Sequence, residues 1–240
     1  MKKFLLFVIS KLKTVSLPCW AKPLLEILSK ILTDSRQESL SEEKQTAEPE
    51  QASQFNALEK KKIAISSGHG KYIRGAKGII DEVDEARRVT DRVAQILRAR
   101  GHECVVFHDD VSRTVDDNLN AIVNWHREQD GDRDALVHFN AWHTPDAHGT
   151  EAIFRDVCDK LFVAGVAESM SKVGFRLRPA QNGSSMQGAV QRSDLRVLNS
   201  LTDREKVLIE VCFVTSPRDV QIYAEHFESL CKHIADALAA

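Results

Sequence analysis

Nowhere does this sequence approach the ~20 consecutive apolar residues that a membrane-spanning helix needs; the run Phe4 to Ile9 is far too short. Charge of one sign is also lacking. Lys and Arg number 33 against 35 Asp and Glu, a formal balance of -2, so no global field draws the chain toward nucleic acid. Neither a basic helix nor a run of stacking aromatics is present, which excludes a nucleic-acid partner on the same grounds. The five cysteines (Cys19, Cys104, Cys158, Cys212 and Cys231) are odd in number and widely spaced, with no CxxC pair. That pattern excludes a disulfide framework and a thiolate zinc site. Cys104 and Cys212 sit in apolar runs and read as small buried hydrophobes. The HExxH helix of many metallopeptidases is missing, and no internal or cell-wall-binding repeat is visible.

What is present divides into three compositions. Residues 1–33 interleave apolar positions (Phe4, Leu5, Val8, Ile9, Leu12, then Leu24, Leu25, Ile27, Leu28, Ile31, Leu32) with Lys2, Lys3, Lys11, Lys13, Lys22 and Lys30. They read as two short amphipathic helices broken near Pro18, which either lie on an anionic membrane surface or dock on the chain's own domain. Met1-Lys2-Lys3 and the apolar core after it have the start of a secretory signal. Lys11 and Lys13 interrupt that core, and no small-x-small cleavage site follows. Residues 34–57 are rich in Glu, Gln and Ser and poor in apolar side chains, the composition of a flexible acidic linker.

Residues 58–240 carry the globular signal. Short apolar runs at Lys62–Ser67, Cys104–Phe107, Ala135–Phe139, Thr150–Phe154 and Val207–Val214 predict strands. Between them, apolar positions at helical spacing predict helices over Asp84–Arg100, around Leu119–Trp125, over Lys160–Val173 and over Val220–Leu238. Gly101 supplies the first helix with its stop. Strands alternating with helices imply an α/β fold, a single three-layer domain with a mostly parallel sheet flanked by helices.

Ligands of such folds bind beyond the carboxyl edge of the sheet. His69 follows the first strand between Gly68 and Gly70, His138 interrupts the apolar Val137-His138-Phe139, and Glu210 interrupts the most apolar strand, Val207–Phe213. A lone strand histidine is commonly a hydrogen-bonded core residue, and a lone buried glutamate can be an ion-pair partner. Burying an ionised carboxylate costs several kcal/mol unless something compensates. All three at strand ends along one edge favour a site over those separate explanations.

The segments Ser66-Ser67-Gly68-His69-Gly70, Val137-His138-Phe139-Asn140-Ala141, Gly149-Thr150-Glu151 and Leu208-Ile209-Glu210-Val211-Cys212-Phe213, in that order, resemble the zinc-dependent N-acetylmuramoyl-L-alanine amidases of the amidase 3 type, over residues 61–239. The resemblance implies a peptidoglycan hydrolase that cuts the amide between N-acetylmuramic acid and the L-alanine of the stem peptide. It implies a Zn2+ held by His69, His138 and an early glutamate of the first helix, Glu82 by the count back from Gly101, with Glu85 the alternative. Glu210 matches the family's catalytic glutamate, Asn140 would orient the loop beside His138, and Arg176, Arg178 and Arg192 could meet stem-peptide carboxylates. The family's Gly-His-Gly-Gly run is cut short by Lys71, and Leu136-Val137 stand where a serine commonly precedes the strand histidine. Two other readings are a catalytically silent wall-binding module of the same fold and a zinc peptidase acting within stem peptides. The expected setting is the cell wall (periplasmic or extracellular) as a monomer, with a lysin's separate export route or an unconventional anchor equally open.

Overall fold

The computed structural model describes residues 60–181, 186–201 and 204–240; the expected N-terminal helices and acidic linker lie outside them. Lys60 to Ala240 forms one compact unit. Six strands, β1 (Lys62–Ser67), β2 (Glu103–Phe107), β3 (Arg133–Asn140), β4 (Glu151–Phe154), β5 (Ala189–Gln191) and β6 (Glu205–Phe213), lie in the order β2-β1-β3-β6-β4-β5. All neighbours are parallel except β4 and β6, which run antiparallel. The mostly parallel sheet expected from the alternation of elements is therefore what the chain forms. The three-residue β5 and the five-residue helix α4 (Arg196–Ser200) are elements that the apolar pattern does not predict.

Side chains alternate across each strand, and that alternation fills two cores. Ile63, Ile65, Ala135, Val137, Val207, Ile209 and Val211 face α1 (Glu82–Ala99), α3 (Lys160–Ser171) and α5 (Pro217–Ala239). Leu136, Ile153, Val190 and Leu208 face the opposite way, against Ile122 and Val123 of α2 (Val115–Glu128) and Val197 and Leu198 of α4. Val89, Val93 and Leu97 of α1 are fully buried, each contributing about 1.5–3 kcal/mol of apolar burial relative to exposure.

Local sequence sets the helix that carries the site. Asp81 caps α1 by accepting from the Val83 amide, and Glu82, Asp84 and Glu85 place negative charge in its first turn, where the helix dipole favours it. Gly101, at φ 88, ends it in the left-handed conformation that glycine adopts without a Cβ penalty. Ser216 caps α5 in the same manner, with Pro217 in its first turn. No helix among the described residues is long and apolar enough to cross a membrane.

Candidate active site

Three predicted residues converge at the carboxyl edge of β1 and β3. The Gly68 amide donates to the Val137 carbonyl at 2.8 Å, so β1 and β3 stay zipped right up to the turn that presents His69. Glu82 opens α1, and one of its oxygens, Oε1, lies 3.4 Å from His69 Nε2 and 3.1 Å from His138 Nδ1. The donor atoms of the three residues fall within 4.8 Å of one another.

Backbone groups fix the carboxylate. Oε1 accepts from the Phe139 amide at 3.1 Å, and Oε2 accepts from the Ala76 amide at 2.5 Å. Residues 70–81 therefore wrap the carboxylate, and glycine permits the approach: a Cβ on Gly75 would lie 2.2 Å from Glu82 Oε2. On the other side, a Cβ on Gly68 would come within 1.9 Å of His138 Nε2. The imidazoles of His69 and His138 meet edge to face, centroids 5.0 Å apart.

Electrostatics shift these three groups in different directions. Burial, reinforced by the neighbouring His138, lowers His69 to about 4 against the pull of Glu82, so its imidazole is neutral at working pH. Burial alone would push Glu82 up, but the hydrogen bond and charge of His138, the charge of His69 and the Ala76 amide hold it below the usual carboxylate range. His138 is raised: burial lowers it, and the carboxylates of Glu82 and Glu210 outweigh that.

The donor set fits zinc. Two neutral-capable imidazoles and one carboxylate are borderline donors of the kind zinc takes, and a tetrahedral ion with bonds of ~2.0–2.1 Å keeps its ligand atoms roughly 3.3 Å apart. The 3.1 and 3.4 Å separations around Glu82 Oε1 fall at that spacing.

Glu210 stands beside this cluster as the β6 register partner of His138, and Glu151 is its partner on β4. The three side chains form one row across the sheet, on the same face as Leu136, Leu208 and Ile153. Burial pushes Glu210 up to about 8; the charge of His138 opposes this, and those of Glu82 and Glu151 add to it. Its Oε2 is buried with no hydrogen-bond partner. An orphaned buried carboxylate oxygen is costly, and this one stands in register with His138. Asn140, expected to orient the loop beside His138, instead donates to Glu151 Oε1 at 2.8 Å, and Arg178 lies 3.5 Å from Glu151 Oε2. The sequence carries Glu151 only as part of a motif; its register with Glu210 is what brings it into the site.

The other candidates sit elsewhere. Glu85 accepts from the Tyr223 hydroxyl at 2.6 Å and pairs with Arg88, turned toward α5 and not toward the histidines. His126 is fully buried: it bonds Ser66 Oγ at 2.9 Å and Asp134 Oδ1 at 2.8 Å. This Ser-His-Asp row has the contacts of a nucleophilic triad but no access for substrate, since Ser66, His126 and Asp134 are all at 0% exposure. Arg192 is held by Asp194. Arg176 lends its backbone carbonyl to Thr150. His143 lies beside Trp142.

Two imidazoles and a carboxylate at the carboxyl edge of an α/β sheet, with a second carboxylate one strand away, are the groups of a mononuclear metallohydrolase centre. The chain belongs to the N-acetylmuramoyl-L-alanine amidase family, whose sequence pattern matches residues 63–240. An uncharacterised protein of Clostridium perfringens is 30% identical over 189 residues, covering 74% of this chain and 51% of its own. The chain thus spans about half the length of the curated relative it matches. Among solved structures, the catalytic domain of an endolysin targeting Clostridia difficile superposes with a TM-score of 0.65 at 20% identity, covering 74% of this chain and 96% of that one. The CwlD amidase of Clostridioides difficile, solved with the GerS lipoprotein, gives 0.61 at 19% identity, covering 74% and 94%. An N-acetylmuramoyl-L-alanine amidase of Nostoc punctiforme gives 0.61 at 20% identity, again covering 74% and 94%. At these identities the likeness concerns the fold.

Proposed function

We propose that this chain is a zinc-dependent N-acetylmuramoyl-L-alanine amidase that hydrolyses the bond between the lactyl group of N-acetylmuramic acid and the L-alanine of the stem peptide in peptidoglycan. One observation carries the reading: His69, Glu82 and His138 converge within 4.8 Å of one another while Glu210, register partner of His138, keeps an unpartnered buried oxygen. A wall-binding module has no use for that oxygen.

His69, Glu82 and His138 would hold the zinc, which when bound supplies Lewis acidity for polarising the amide carbonyl and activating water. Glu210 serves as general base and then general acid. Its carboxylate takes a proton from the attacking water as the new C–O bond forms, and returns it to the alanine nitrogen as the C–N bond breaks. The products are the muramic acid carboxylate and a stem peptide with a free amino terminus. The Ala76 and Phe139 amides keep Glu82 from following the proton traffic, because both its oxygens are already engaged. The setting that follows from this substrate is the cell wall.

The test is mass spectrometry of soluble muropeptides after incubation with the purified protein, with and without chelator and zinc. Stem peptides beginning at L-alanine, lost with chelator and regained with zinc, are expected. Intact stems under every condition would leave the wall-binding reading, and cleavage within the stem would leave the peptidase.

A further inference from the structure

Three large apolar side chains stand exposed around the candidate site: Tyr72 at 43%, Ile79 at 56% and Trp142 at 56%. They are not equivalent. The Tyr72 ring already has cationic partners, the Arg113 guanidinium 3.5 Å from its centroid and the Lys71 ammonium at 5.6 Å. Trp142 has one ring contact among the described residues, the tilted ring of His143, 4.9 Å away at 41°. More than half of Trp142 is left to solvent, a costly way to leave an aromatic unless something covers it.

The position of Trp142 follows from the site's own scaffold. The loop that wraps Glu82 runs on to Ile79, whose amide donates to the Val214 carbonyl at 2.8 Å, and Gly78 packs against the same carbonyl. Thr215, the next residue, accepts from the Trp142 amide at 3.3 Å. Trp142 is thus tied through Thr215 and Val214 to the loop that holds Glu82. It follows His138 by four residues, a separation of at most about 14 Å even in a fully extended chain. In the proposed substrate only the lactyl CH and an ether oxygen separate the carbonyl from a pyranose ring, so a sugar of the glycan strand must lie within that distance of the scissile bond. Pyranose rings present an apolar C–H face that matches an open indole.

The geometry points to Trp142 as a sugar-stacking platform, a subsite for the glycan strand beside the candidate site. This rests on the amidase reading for the choice of substrate, but it is testable without turnover. The probe is a peptide-free oligomer of N-acetylglucosamine, titrated into the full chain while tryptophan fluorescence is followed. A saturable change is expected in the parent and in Tyr72→Ala, and its loss in Trp142→Ala. Trp142→Phe, which keeps a smaller ring in the same place, should restore oligomer binding when followed by calorimetry. An unchanged titration in Trp142→Ala, or none in the parent, overturns the proposal. In hydrolysis assays Trp142→Ala should raise KM roughly fivefold on glycan-linked stems and leave KM unchanged on a lactyl-peptide that lacks the sugar. An equal rise on both substrates also overturns it. Saturable sugar binding at Trp142 in a protein that releases no stem peptide would defeat the amidase reading and leave the subsite standing.

Discussion

Gly68 and His138 are packed so closely that a single methyl group on the glycine would overlap the imidazole, 1.9 Å from Nε2. The glycine beside His69 therefore has a second duty, which is to leave room for the ring of the other proposed ligand. Gly68→Ala should push His138 off its line to Glu82. Overpacking of this kind costs about 1–3 kcal/mol, and misplacing one ligand should weaken zinc binding by at least ~10-fold. Competition with a chromophoric chelator measures the second effect and thermal melting the first; unaltered zinc affinity would show that the ring has slack the structure does not suggest.

Glu82 and Glu85 sit one turn apart on α1 and make opposite predictions. Glu82 faces both histidines, while Glu85 receives the Tyr223 hydroxyl. Glu82→Gln should abolish stoichiometric zinc binding at neutral pH. Glu85→Gln should leave zinc content alone and lower stability by about 1–2 kcal/mol through a weakened charge-assisted hydrogen bond. Zinc content by atomic absorption, paired with denaturant melts, separates the two. If Glu85→Gln lost the metal, the assignment of the helix glutamate would be reversed.

Much of the site was legible in the sequence, for reasons that particular residues make clear. His138 and Glu210 stand out because each interrupts a strand whose other residues are apolar, and polar residues in such strands need a partner or a task. His69 stands out through the glycines on either side. Glu82 required the length of a whole helix, since Asp84 and Glu85 carry the same charge in the same turn. Glu151 was not legible as a site residue, because its place beside Glu210 depends on antiparallel register between β4 and β6. The burial of His126 is not legible in the sequence, because its partners, Ser66 and Asp134, are 60 and 8 residues away on two other elements. The strand β5, three residues long, is below the length at which alternation can be seen.

Glu210 should be separable from metal binding. It lies beside His138 in register but is not among the three converging donors. Glu210→Gln preserves its volume and should leave zinc content unchanged while lowering turnover by about 10²–10⁴-fold, the usual contribution of a positioned acid–base group. Retained turnover would remove Glu210 from the proton path. Loss of zinc along with turnover would mean that it acts through the metal site instead.

At the opposite end of β6 the chain buries a lysine, Lys206, 2.6 Å from Asp156 and 3.3 Å from Asp159. Asp159 is only 2% exposed. Burial raises its carboxyl to about 6; Lys206 opposes the shift, and Asp156 and Glu205 add to it. A carboxyl whose folded-state value lies above its unfolded one favours folding when protonated. Its contribution is complete below about pH 4, the unfolded value, and is lost as the pH rises through about 6. Asp159→Asn, which stays neutral, should therefore match the parent at pH 4 and exceed it at pH 8, by on the order of 2 kcal/mol. Lys206 keeps Asp156 as its partner in that variant, so no buried ammonium is stranded. Urea melts of parent and variant across this range would show the gap opening near pH 6, and a variant less stable than the parent at pH 8 would mean that the Lys206–Asp159 attraction outweighs the burial of the carboxylate.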